Sequence, residues 1–90
     1  MNIKETLTIL SEESAEVIQA CSKLIRFGPY DDDNVAELEK ELADVLAMIM
    51  ILEYYGYINL ENIQDGIIPK LQKLKKYSKI KNLNKIIKNL

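Results

Sequence analysis

Ninety residues with 12 bases, 14 acids and no histidine bound this chain to one small domain. The missing histidine excludes His general bases, His zinc sites and Ser-His-Asp triads, and the single cysteine excludes an internal disulfide. The net charge of −2 hides a split: residues 1–65 hold all 14 acids and four bases, whereas residues 66–90 hold eight lysines and no acid.

Hydrophobic residues make up 48% of the chain, more than one small core needs. Self-association is the expected outlet. No run approaches the length of a membrane span, and residues 1–20 lack a signal-peptide pattern. A cytoplasmic protein with no membrane partner is expected.

The first helix is expected from about Ile3 to Arg26, where Leu7, Leu10, Val17, Ile18, Cys21, Leu24 and Ile25 recur at helical spacing. Cys21 falls on this stripe and reads as a small buried hydrophobe. Phe27-Gly28-Pro29-Tyr30 ends the helix, since glycine stops helices and the residue before proline resists them. One residue of Asp31-Asp32-Asp33-Asn34 caps the next helix, and the acids complement its dipole.

The second helix is expected from about Asn34 to Tyr55, with Val35, Leu38, Leu42, Val45, Leu46, Ile49 and Leu52 as its stripe. Met48, Met50 and Ile51 widen the apolar surface, which suits a second helix contact or a subunit interface. Asn59 caps a third helix through Leu60, Ile63, Ile67, Leu71 and Leu74. Pro69 lacks an N–H and should kink or interrupt it near Asp65. Lys79–Leu90 reads as a short basic amphipathic helix. No strand pattern competes, so the fold class is all-α: an antiparallel hairpin, a third helix and a short C-terminal helix, assembling into a four-helix-bundle-type oligomer. Residues 1–78 form the helical domain and residues 79–90 a basic extension.

Two acid pairs stand out. Glu13 and Glu16 are three apart, as are Glu41 and Asp44, so each pair shares a helix face at the edge of the apolar stripe. The surrounding stretches echo each other at an offset of 28: Leu10 with Leu38, Ala15 with Ala43, Val17 with Val45, Leu24 with Leu52. In an antiparallel hairpin, facing residues have a constant number sum. Glu13 with Asp44 and Glu16 with Glu41 share the sum 57, whose midpoint falls at Gly28–Pro29. The four acids therefore meet at one level. A pair of like charges at 4 Å costs about 4 kcal/mol at an effective dielectric of 20, so protons or cations must sit among them. Oxygen ligands without His or Cys favour Mg²⁺, with Mn²⁺ as a substitute, over zinc.

Glu12-Glu13-Ser14-Ala15-Glu16 fits E-E-x-x-E, and Glu41-Leu42-Ala43-Asp44 fits E-x-x-D. In order and spacing they resemble the all-α nucleoside triphosphate pyrophosphohydrolases, the MazG-like superfamily, and most of all its small single-domain bacterial and bacteriophage members. The resemblance covers roughly residues 5–77. It implies hydrolysis of an NTP or dNTP to the monophosphate and pyrophosphate, with Glu13, Glu16, Glu41 and Asp44 as ligands of Mg²⁺. Such an ion neutralises the triphosphate and lowers the pKa of the water that attacks the α-phosphorus. With no histidine, a carboxylate takes the proton, and Glu12 and Glu13 are the candidates.

Lys23, two turns beyond Glu16, and Lys70 and Lys73 on the third helix are candidates for holding phosphate charge. Many family members carry an asparagine two residues before a lysine on the third helix; here the stretch is Ile68-Pro69-Lys70. Tyr30, Tyr54, Tyr55 and Tyr57 offer rings for stacking on a base or for covering an interface, and interface cover is the favoured reading.

Two other functions compete. The lysine-rich C-terminus suits a nucleic acid or other anionic partner, but the acidic remainder repels nucleic acid. An inactive helical oligomer is the other. A di-iron bundle is disfavoured, since its Glu-x-x-His motif needs histidine. The expected partners are a nucleoside triphosphate and further copies of the chain, as a homodimer or homotetramer.

Overall fold

The computed structural model describes residues 2–90. Four helices follow in order: α1 (Ile3–Phe27), α2 (Asp32–Tyr54), α3 (Leu60–Tyr77) and α4 (Leu83–Lys88), with no strand among the described residues. The chain divides into two compact units, the first ending at Ile58 and the second spanning Asn59–Leu90.

The first unit is a helical hairpin. Asn2 caps α1 by accepting the Glu5 N–H at 3.3 Å, and Asp31 caps α2 by accepting the Asn34 N–H at 3.0 Å. These caps satisfy backbone donors that have no intrahelical partner. Asp32 and Asp33 lie in the first turn of α2, where the helix dipole favours negative charge. Between the helices, Gly28 donates its N–H to Leu24 O at 2.9 Å and adopts φ 103°, ψ 143°. That region is close to glycine-only. A Cβ there would meet nothing within 4 Å, so only backbone strain opposes it. Gly28→Ala is expected to destabilise the protein by about 1–3 kcal/mol in urea unfolding. An unchanged midpoint would show that the turn relaxes freely.

The residues turned inward coincide only in part with the apolar stripes expected from the sequence: Leu7, Ile18, Cys21 and Ile25 of the first and Leu42 and Leu46 of the second are exposed. On α1, Thr6 and Ala20 are buried and Ile9, Leu10, Glu13, Val17 and Leu24 are half-buried. On α2, Glu41, Met48 and Leu52 are buried and Leu38, Asp44, Val45 and Ile49 are half-buried. Thr6, Glu13 and Ala20 are seven apart, as are Glu41 and Met48, so acids occupy positions that a heptad pattern gives to core residues. The 28-residue echo is four such heptads. Two expectations are corrected here. Glu41 lies inside the buried face rather than at its edge. Cys21 is exposed, because the inward face runs from Leu10, Val17 and Leu24 toward Thr6, Glu13 and Ala20 and leaves Cys21 beyond its rim.

The side chains left outside include Ile18 (71% exposed), Ile25 (83%), Leu46 (58%) and Met50 (66%). Buried apolar side chains of this unit are few among the described residues: Ala20, Met48 and Leu52. Tyr30, Tyr54, Tyr55 and Tyr57 are also exposed, with the rings of Tyr54 and Tyr55 edge-to-face at 5.0 Å.

The second unit holds α3 and α4 against each other. Asn59 caps α3 by accepting the Glu61 N–H at 2.8 Å. The helix is continuous through Pro69, so the expected interruption near Asp65 does not occur. Proline removes one hydrogen bond, and the turns on either side persist. Ser78 ends α3, donating its hydroxyl to Leu74 O at 2.8 Å and accepting the Ile80 N–H at 3.2 Å. Leu83 is buried, while Leu71, Leu74 and Ile87 are half-buried. The C-terminal helix is shorter than the amphipathic segment and begins after Asn82, which takes a left-handed conformation. No helix among the described residues is long and apolar enough to cross a membrane.

Candidate metal centre

Four carboxylates converge where α1 and α2 face each other. Glu13, Glu16, Glu41 and Asp44 each present an oxygen such that all four lie within 4.8 Å of one another. The strongest charged neighbour of Glu13 is Asp44, and that of Glu16 is Glu41. Nearer the turn, Lys23 pairs with Glu37. Partner numbers on α2 fall as those on α1 rise, which is antiparallel pairing in the register derived from the constant sum.

These acids are poorly compensated. Glu41 is only 7% exposed, and Glu13 Oε2 and Glu41 Oε2 are buried without a hydrogen-bond partner. A buried carboxylate oxygen without a donor is costly. The cluster responds by holding protons. Burial, then the charge of Asp44, raises the Glu13 carboxyl above its usual value of 4.5. Glu16 is pushed up to about 7, first by a proton-sharing contact with Glu41 and then by the charges of Glu41 and Glu13.

The donor set fits a hard divalent cation. Ligand oxygens around one Mg²⁺ lie about 3–4 Å apart, given bonds of about 2.1 Å. A cluster spread within 4.8 Å needs only small side-chain rotations to close on such an ion. The two partnerless oxygens are the groups a cation would satisfy.

The pKa directions set a stability profile. Raised carboxyl values mean that the folded protein binds these protons more tightly than the unfolded chain. That contribution is full below about pH 4.5 and is lost as pH rises through about 7. Metal-free protein in chelator is therefore expected to melt at a lower temperature at pH 8 than at pH 5. Mg²⁺ should restore the loss at pH 8. A melting temperature that rises between pH 5 and pH 8 without metal would contradict this picture.

Glu12 and Lys23, in the same unit, are not members of the cluster. Glu12 precedes Glu13 and faces solvent. Lys23 lies two turns along α1 from Glu16, about 10 Å of helix rise, and donates to both oxygens of Glu37 at 2.9 and 3.0 Å. Lys70 and Lys73 are exposed on α3 in the second unit and form no ion pair among the described residues. Sequence reasoning passed over Lys40. Its ammonium donates to Asp44 Oδ2 at 3.3 Å and to Glu41 Oε1 at 3.4 Å. The i,i+4 spacing of Lys40 and Asp44 was the available signal.

A family model described as the MazG nucleotide pyrophosphohydrolase domain matches residues 1–78. No curated protein and no solved structure gives a significant match.

Proposed function

The chain belongs to the MazG nucleotide pyrophosphohydrolase family, and from that premise we propose that it is a Mg²⁺-dependent hydrolase converting an NTP or dNTP to the monophosphate and pyrophosphate. The observation that carries this reading is the four-acid cluster with two buried, partnerless carboxylate oxygens.

Glu13, Glu16, Glu41 and Asp44 would hold the ion, with Mn²⁺ as an acceptable substitute. When bound, the ion neutralises triphosphate charge and makes water acidic enough to attack phosphorus. The side chains do the remaining work. Two pairs from two facing helices fix the ligand oxygens on rigid elements. Glu12 or Glu13 accepts the proton of the attacking water. Glu13 is favoured by its raised basicity within the cluster, and Glu12 by its access to solvent. Lys23, Lys70 and Lys73 are assigned to phosphate charge, and Lys23 must first release Glu37.

We assign residues 1–78 to the pyrophosphohydrolase domain and residues 79–90 to a basic extension, in a cytoplasmic protein. The hairpin also needs a partner. Burying an Ile, Leu or Met side chain contributes about 1.5–3 kcal/mol. Leaving the exposed parts of Ile18, Ile25, Leu46 and Met50 in water forfeits about 4–8 kcal/mol, a large share of the net stability of a domain. A second hairpin packed on this face would complete a four-helix core.

The direct test is chromatography of products from a panel of NTPs and dNTPs, with Mg²⁺ and with chelator. Monophosphate and pyrophosphate formed only with the metal is the expected result. No turnover of any triphosphate with Mg²⁺ or Mn²⁺ would remove the proposal.

A further inference from the structure

The cluster of four acids is not left without any positive charge. Among the described residues, Lys40 is the one cation within ion-pair distance of it. The other bases of the first unit are placed elsewhere. Lys23 is paired with Glu37, Arg26 lies over the Phe27 ring at 5.0 Å, and Lys4 is near the start of α1. Lys40 bridges one ligand candidate from the middle of the buried face, Glu41, and one from its rim, Asp44. Its aliphatic stem remains largely exposed, so the ammonium can swing away at little steric cost. It touches only one oxygen of Glu41, while the other oxygen stays without a donor.

We propose that Lys40 is the internal counter-ion of the metal-free site, holding Glu41 and Asp44 in place and giving way to a divalent cation. This inference rests on the four acids being the metal site. The lysine brings one positive charge to the cluster and leaves Glu13 Oε2 and Glu41 Oε2 without a partner. Entry of the ion then requires displacement of an ammonium. The apparent metal affinity is weaker than the bare acids would give, and it is set by residue 40 as well as by the ligands.

The test is Mn²⁺ titration of the full chain, read as free Mn²⁺ by electron paramagnetic resonance, for wild type, K40M, K40R, K4M and E41Q. K40M removes the charge and keeps the stem. It should bind Mn²⁺ about tenfold more tightly than wild type, the scale of one unit charge acting on a dication across a few ångströms of solvent-exposed protein. K40R keeps the charge and should stay near wild type. K4M controls for the change in net charge, since Lys4 lies nine residues from Glu13, about 13 Å along the helix. Its affinity should also match wild type. In the metal-free state K40M, but not K4M, should melt lower than wild type at pH 8. Unchanged or weaker binding by K40M, with wild type binding normally and E41Q not, would overturn the counter-ion role and leave the metal site standing. Equal gains in K40M and K4M would also overturn it, as a net-charge effect. Absence of binding in wild type would sink the metal site and this inference together.

Discussion

Replacing Glu41 by glutamine is expected to lower triphosphate turnover by more than about a hundredfold while raising the melting temperature of the metal-free protein. The two effects have one cause. Glu41 is the most buried of the four acids and carries an oxygen without a donor. It is also the neighbour that pushes Glu16 up to about 7. Glutamine keeps the shape of the side chain, removes a charge from the crowded cluster and supplies donors to it. The repulsion among the four carboxylates is relieved. The same change removes a ligand from the proposed metal centre. Even partners that only orient metal ligands are worth 10–100-fold in affinity or activity, so a ligand itself should exceed that range. Turnover assays and thermal melts in chelator check both halves. Retained turnover in E41Q would remove Glu41 from the site. A lower melting temperature would show that its charge supports the fold rather than straining it.

A charge placed on the exposed apolar face of the hairpin is expected to break the self-association proposed for it. Leu46 is 58% exposed on α2, and it shares that outer surface with Leu42 and Met50. Ile18 and Ile25 extend a second apolar stripe along α1, seven residues apart. Helix surfaces of this kind pack together when the seam repeats at heptad spacing. Leu46→Glu would put an uncompensated charge into such a seam, at a cost on the order of 3–5 kcal/mol. Self-association should weaken by at least about a hundredfold. Sedimentation equilibrium of L46E against wild type reads this directly. The same mass for both proteins at every concentration would show that Leu46 lies outside any subunit contact.

The helices were readable from the sequence because their punctuation is local. Asn2, Asp31 and Asn59 cap the three long helices, and Gly28 and Gly56 turn the chain with positive φ. The convergence of the acids was readable because a hairpin fixes the sum of facing residue numbers once its turn is located. What resisted was the rotation of each helix about its own axis. Apolar spacing on α1 points to the stripe of Leu7, Leu10, Val17, Ile18, Cys21, Leu24 and Ile25; the fold turns Leu10, Val17 and Leu24 inward with Thr6, Glu13 and Ala20 and leaves Leu7, Ile18, Cys21 and Ile25 exposed. A single chain carries two apolar surfaces, one for its own core and one that stays exposed, and periodicity does not rank them. Pro69 does not interrupt α3. Losing one hydrogen bond is a local penalty, and the regular turns flanking it keep α3 continuous. Lys40 escaped notice because a lysine beside acids on a helix usually means a solvated pair. Only the convergence of the second helix makes its position consequential.

The proposed reaction has the acid cluster direct water to the α-phosphorus of a nucleoside triphosphate. Hydrolysis in ¹⁸O-labelled water with Mg²⁺, followed by phosphorus NMR, tests it most directly. The expected products are monophosphate and pyrophosphate, with ¹⁸O in the monophosphate alone. Release of inorganic phosphate and a nucleoside diphosphate, or ¹⁸O in the pyrophosphate, would contradict it.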